Sequence, residues 1–74
     1  ESIHAAVERV NTREAILRYY DRMPLRSRGP DHDEFCARLC SEIRLLENVI
    51  RTVTDAWRKG WISLAEAADV LAAA

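Results

Sequence analysis

Between residues 34 and 59, large apolar side chains recur every three or four positions, and charged or polar side chains fill the positions between them. The apolar set is Phe35, Leu39, Ile43, Leu46, Ile50, Val53 and Trp57. At about 3.6 residues per turn, this spacing places all seven on one side of a helix. Alternating steps of three and four are typical of a helix that packs lengthwise against other helices. We call these seven residues the seam and predict one long amphipathic helix over residues 31–59.

Capping signals predict where this helix begins and ends. Asp31 and Glu34 have the spacing of a capping box, which places the start of the helix at Asp31. Gly60 can adopt the left-handed conformation that commonly ends a helix. Ser63 and Glu66 repeat the capping-box spacing and predict a short third helix over residues 63–73.

A first helix is predicted over residues 2–23, although its apolar side is less regular than the seam. The linker at residues 24–30 contains Pro24, which closes the first helix, and the pair Gly29-Pro30, which favours a turn. The predicted fold class is therefore all-α, with a single domain over residues 1–74 in which a helical hairpin is joined by a short third helix.

The small size of the chain adds an expectation about assembly. With 74 residues the core is modest, and domains of this size often gain stability by oligomerisation. Because the seam is long and broad, we expect a second copy to cover it, so that two hairpins pair into a dimeric four-helix-type bundle. The seam is then the homodimer interface.

Composition limits the possible classes of partner and indicates the cellular compartment. The formal net charge of -1 predicts neither bulk affinity for nucleic acid nor attraction to anionic membranes. No apolar run approaches the roughly 18 to 20 residues of a membrane span. The two cysteines lack the spacing of a secreted disulfide framework, which favours a reducing cytoplasm.

His32, Cys36 and Cys40 recur every four residues and form the only candidate metal site. On one helix they project from neighbouring turns, with nitrogen and sulfur donors that suit Zn²⁺ or Cu(I). A metal or redox sensor is therefore one alternative function. The competing interpretation is that both cysteines are small hydrophobes at the edge of the seam, and on that interpretation we expect neither a metal nor another cofactor.

The segment from residue 9 to residue 28 is locally basic. Its only acidic residues are Glu14 and Asp21, and its arginines outnumber them. The arginines are Arg9, Arg13, Arg18, Arg22, Arg26 and Arg28. Arg18 and Arg22 lie one helical turn apart beside Tyr19, and guanidinium groups suit both carboxylates and phosphates. We predict that Arg18, Tyr19 and Arg22 contact a partner protein. The alternative partner is nucleic acid, whose bases would stack on tyrosine in a transcriptional regulator.

A second predicted contact region is the corner that extends from Trp61 to Leu71. Residues 62–71 resemble the opening helix of a helix-turn-helix of the excisionase type. That resemblance includes neither the turn nor the recognition helix of the family, so it assigns no residue that contacts DNA.

No motif of an enzyme accompanies these surfaces. The sequence has no glycine-rich phosphate loop, no His-Glu-x-x-His and no nucleophile elbow. The leading prediction is a non-enzymatic protein-interaction or oligomerisation module, a small cytoplasmic regulator or adaptor that acts as a homodimer and binds an unidentified protein.

Overall fold

Three α-helices make up most of the structure, a computed structural model that describes residues 2–74. Helix α1 spans Ile3–Asp21, α2 spans His32–Arg58 and α3 spans Leu64–Ala73. One turn of 3-10 helix, Leu25–Ser27, lies in the connection between α1 and α2. No strand occurs in the described residues, and the predicted all-α fold with three helices is confirmed.

The three helices form a rod. Helices α1 and α2 lie against each other as a hairpin, and α3 folds back against both of them. The principal dimensions are 51 × 17 × 16 Å. Since α3 has only 10 residues, or about 15 Å of helix, it covers one end of the hairpin and leaves the rest two helices thick. Among the described residues no helix has the length and apolar character required to cross a membrane.

The core consists of two clusters of buried side chains. The base cluster, where α3 joins the hairpin, contains Ala6, Val53, Ala67 and Leu71. The middle cluster, between α1 and α2, contains Val10, Leu39, Ile43 and Leu46. Ile50 is partly buried and packs against both clusters. Ile50 therefore joins the two clusters, and the stability of the rod depends on this narrow line of apolar contacts.

The seam is largely covered within one chain. Its buried members are Leu39, Ile43, Leu46 and Val53, which α1 and α3 enclose. Phe35 and Trp57, at the two ends of the seam, remain 37% and 40% exposed. The middle of the seam thus needs no second copy to remove it from water, because the first and third helices already do so. Pairing of two copies stays a prediction.

The junction between α2 and α3 follows the predicted capping signals. Gly60 has φ +78°, and its N–H donates to the Trp57 carbonyl at 3.0 Å. The N–H of Trp61 donates to the Ala56 carbonyl, also at 3.0 Å, which completes a Schellman motif. At the start of α3, a capping box is present between Ser63 and Glu66, in which each side chain accepts the other residue's backbone N–H. These contacts fix the direction in which α3 leaves α2.

The predicted capping box at Asp31 is wrong. Asp31 does precede α2, but its side chain makes no capping hydrogen bond. Its φ of -98° and ψ of 7° differ from the extended conformation that aims an N-cap side chain at the first free N–H groups. Glu34 instead pairs with Arg38 one turn further along, at 3.3 Å.

The hairpin tip, residues 22–31, is held by polar contacts with the end of α1. The Arg28 guanidinium donates from Nε to the Met23 carbonyl at 3.0 Å and from Nη2 to the Asp21 carbonyl at 3.1 Å. His32 Nε2 donates to the Tyr20 carbonyl at 2.8 Å. Cationic and N–H donors at a helix C-terminus satisfy carbonyls that have no partner within the helix. They also hold the turn at Leu25–Ser27 against the last turns of α1.

Candidate interaction surfaces

The arginine cleft is a concave site between the last turns of α1 and the turn that follows it. It has a volume of about 520 Å³, and its lining residues are Ala15, Arg18, Tyr19, Arg22, Met23, Pro24 and Ser27. The structure therefore brings Arg18, Tyr19 and Arg22 to one cleft. The helix places the two arginines one turn apart, and the turn held by Arg28 supplies the opposite wall.

The charge in the arginine cleft is entirely positive. Arg18 and Arg22 are both exposed, no carboxylate lines the cleft, and within residues 2–74 neither guanidinium group forms an ion pair. Arg13, by contrast, pairs with Glu42 at 3.4 Å. Tyr19 is 68% exposed beside the two arginines. The cleft thus offers two free guanidinium forks next to an accessible aromatic ring.

The corner at the start of α3 is only partly available for contacts. Trp61 is 72% exposed, and the Lys59 Nζ lies 4.7 Å from the centroid of its ring. Leu64 is 57% exposed. Leu71, in contrast, is 1% exposed because it packs into the base cluster. Leu71 is a core residue, so the prediction that it contacts a partner is corrected.

His32, Cys36 and Cys40 do not converge on one point. The His32 side chain is 7% exposed, and its Nε2 lies 3.9 Å from Cys36 Sγ. A carbonyl oxygen only accepts hydrogen bonds, so the contact with Tyr20 requires a hydrogen on Nε2 and leaves no lone pair there for a metal. Cys40 is exposed one turn further along. No group of three or more His, Cys, Asp or Glu side chains in residues 2–74 is arranged to hold a metal ion.

The two thiols are expected to differ in reactivity. Burial raises the pKa of the Cys36 thiol, and the carboxylates of Asp21 and Asp33 raise it further. Since the thiolate is the species that reacts, iodoacetamide near pH 8 should alkylate exposed Cys40 several-fold faster than Cys36. Mass spectrometry of timed samples of Cys36→Ser and Cys40→Ser variants measures each thiol separately. The two rates should converge in urea, and equal rates in the folded protein would contradict the partly buried position of Cys36.

A groove that the sequence did not indicate runs between α1 and α2. This hairpin groove has a volume of about 440 Å³, and it is lined by Val7, Val10, Glu47, Ile50, Arg51, Thr54, Asp55 and Arg58. Its apolar side includes Val7, which is 39% exposed. The Thr54 hydroxyl oxygen is buried and has no hydrogen-bond partner in the described structure. The one sequence signal for the groove is the alternation of charge along α2 between residues 47 and 58.

Comparison with protein-family models, with curated proteins and with solved structures gave no match.

Proposed function

We propose that this chain is a non-enzymatic interaction module that acts as a homodimer. The observation that carries the proposal is the amount of apolar surface left outside a thin core. The large apolar and aromatic side chains that remain more than a third exposed are Val7, Ile16, Tyr19, Leu25, Phe35, Leu45, Trp57, Trp61, Leu64 and Val70. Apolar side chains in such number on a small rod favour protein-protein contact, since association removes them from water.

The hairpin groove is the surface we assign to the second copy. Glu47, Arg51, Asp55 and Arg58 alternate in sign along its edge. In a two-fold symmetric pair with antiparallel α2 helices, the order of charges is reversed in the facing copy. Glu47 then faces Arg58 of the second copy, and Arg51 faces its Asp55. The edge is therefore complementary to itself in one orientation, which favours antiparallel pairing over parallel pairing.

The same antiparallel contact covers the exposed part of Val7, which is 39% exposed at the edge of the hairpin groove.

Analytical ultracentrifugation under reducing conditions tests the proposal. We expect a mass that rises with concentration from 8.5 kDa toward twice that value. Arg58→Glu should weaken the dimer about tenfold, because symmetry places the new repulsion at two contacts and exposed pairs are each worth up to about 1 kcal/mol. The double variant Glu47→Arg with Arg58→Glu should restore affinity, because it only exchanges the two charges.

Arg44→Glu is the matched control, since Arg44 is exposed on α2 and does not line the groove. It should leave the dimer within about twofold of the unmodified chain. A mass of a single chain at millimolar concentration overturns the homodimer. Equal effects of Arg58→Glu and Arg44→Glu retain the dimer and reject this face.

A further inference from the structure

We infer that the arginine cleft binds a short acidic segment of a partner protein, in which two carboxylates engage Arg18 and Arg22 and an apolar side chain lies between them. The inference rests on the proposed function as an interaction module, and it states the chemistry of the partner. The homodimer uses the hairpin groove, so the two surfaces are separate on the molecule.

The spacing of the two arginines sets the spacing of the groups they bind. Arg18 and Arg22 are four residues apart on one helix, which separates their positions by about 6 Å along the axis. A guanidinium fork binds a carboxylate through two parallel hydrogen bonds. Acidic residues that lie three or four positions apart on a partner helix have the same separation. Because neither arginine has an ion pair in the described structure, no existing contact must be broken first.

The other lining residues of the arginine cleft determine which side chain of the partner can lie between its two carboxylates. Ala15, Met23 and Pro24 make part of the lining apolar, and the exposed ring of Tyr19 extends that surface. Tyrosine beside arginine is a common composition at the energetic centre of protein interfaces. A leucine or an aromatic side chain of the partner suits this wall, while the Ser27 hydroxyl is available to a polar backbone group.

Charge elsewhere on the molecule favours a peptide over nucleic acid. The whole chain carries a formal charge of -1, so it has no long-range field that attracts a polyphosphate. The side chains of Asp33 and Glu34, at the same end of the hairpin, are 98% and 72% exposed. Two guanidinium groups on a chain of negative net charge match a short acidic segment rather than a long polyphosphate.

Fluorescence anisotropy with three labelled probes tests the inference on the full chain. The first probe is a helical peptide with glutamates four positions apart and leucine between them, the second has lysine in place of each glutamate, and the third is an oligothymidylate of similar length. We expect the glutamate peptide to bind and the lysine peptide not to bind. The double variant Arg18→Gln with Arg22→Gln should weaken glutamate-peptide binding at least tenfold.

The matched control is the double variant Arg38→Gln with Arg44→Gln, which removes two exposed positive charges from α2 instead. It should change peptide affinity by less than twofold, and circular dichroism should show native helicity for both double variants. Three results overturn the inference: no binding of the glutamate peptide, equal losses in the two double variants, or oligothymidylate binding tighter than the glutamate peptide.

Sedimentation of the same samples separates this inference from the homodimer proposal. If the variant Arg18→Gln with Arg22→Gln loses peptide binding but keeps its dimer mass, the result supports two independent binding surfaces. A chain that stays monomeric but binds the glutamate peptide through the arginines supports the inference and overturns the homodimer alone.

Discussion

Replacement of Ile43 by aspartate is expected to unfold the domain. Ile43 is 7% exposed in the middle cluster, between Val10, Leu39 and Leu46. The substitution removes about 2 to 3 kcal/mol of apolar burial, and it leaves a carboxylate without a partner in an apolar site, which costs several kcal/mol more. A domain of this size has a total free energy of unfolding of about 4 to 11 kcal/mol. The loss is therefore comparable to the whole stability of the fold.

Far-UV circular dichroism and thermal melting measure this effect. The matched control is Leu45→Asp, which introduces the same charge on the same helix at a side chain that is 66% exposed. We expect the control to retain helicity and cooperative unfolding, and Ile43→Asp to lose both. A cooperative melt of Ile43→Asp within a few degrees of the unmodified chain would show that the middle cluster is not the core of the fold.

Leu71→Ala is expected to cost the next largest amount, about 2 to 5 kcal/mol. Leu71 is 1% exposed and is the largest fully buried side chain of the described structure. It lies in the base cluster with Ala6, Val53 and Ala67, where small neighbours leave little material to fill the cavity. Urea denaturation at a fixed protein concentration gives the change in the free energy of unfolding.

Leu64→Ala makes the same chemical change on the same helix and isolates the contribution of burial. Leu64 is 57% exposed, so its replacement should cost well under half as much as that of Leu71. Similar losses for the two variants would mean that α3 does not lie in the base cluster as the structure has it.

Features encoded locally were predictable from the sequence. The seam follows from helical periodicity alone, and its middle is buried as such a stripe should be. The third helix was predicted over residues 63–73 and is observed at Leu64–Ala73, with Ser63 as its cap. Gly60 ends α2 through a motif formed by residues within one turn. Such signals need no knowledge of the rest of the chain.

Features that depend on distant residues were not predictable. Which helices cover the seam depends on how α1 and α3 fold back, and periodicity does not specify the covering element. Leu71 was predicted to contact a partner, but Leu64 shares the apolar side of α3 with it, and only the direction of α3 decides which of the two is buried. The missing cap at Asp31 reflects backbone angles that residue type does not determine.

The candidate sites likewise combine local features that the sequence predicts with contacts between segments that it does not. Arg18, Tyr19 and Arg22 are neighbours on one helix, so their shared surface was evident from the sequence. The cleft beside them exists because Arg28 draws the turn back to the end of α1, which is a contact between segments. The hairpin groove joins Val7 of α1 to Thr54 of α2 and was missed because it depends on the pairing of two helices.

Because buried side chains are unevenly distributed along the rod, its two ends differ in the free energy needed for local opening. No residue between 11 and 38 is fully buried, whereas the base cluster lies at the opposite end of the rod and the middle cluster extends toward the tip only as far as Leu39. Local opening needs least free energy where apolar contacts are fewest, so the half that carries the arginine cleft can loosen while the half that carries the hairpin groove stays rigid. Under the proposed functions, local opening near the arginine cleft would let it accept acidic segments of differing sequence while the proposed contact between two copies stays intact.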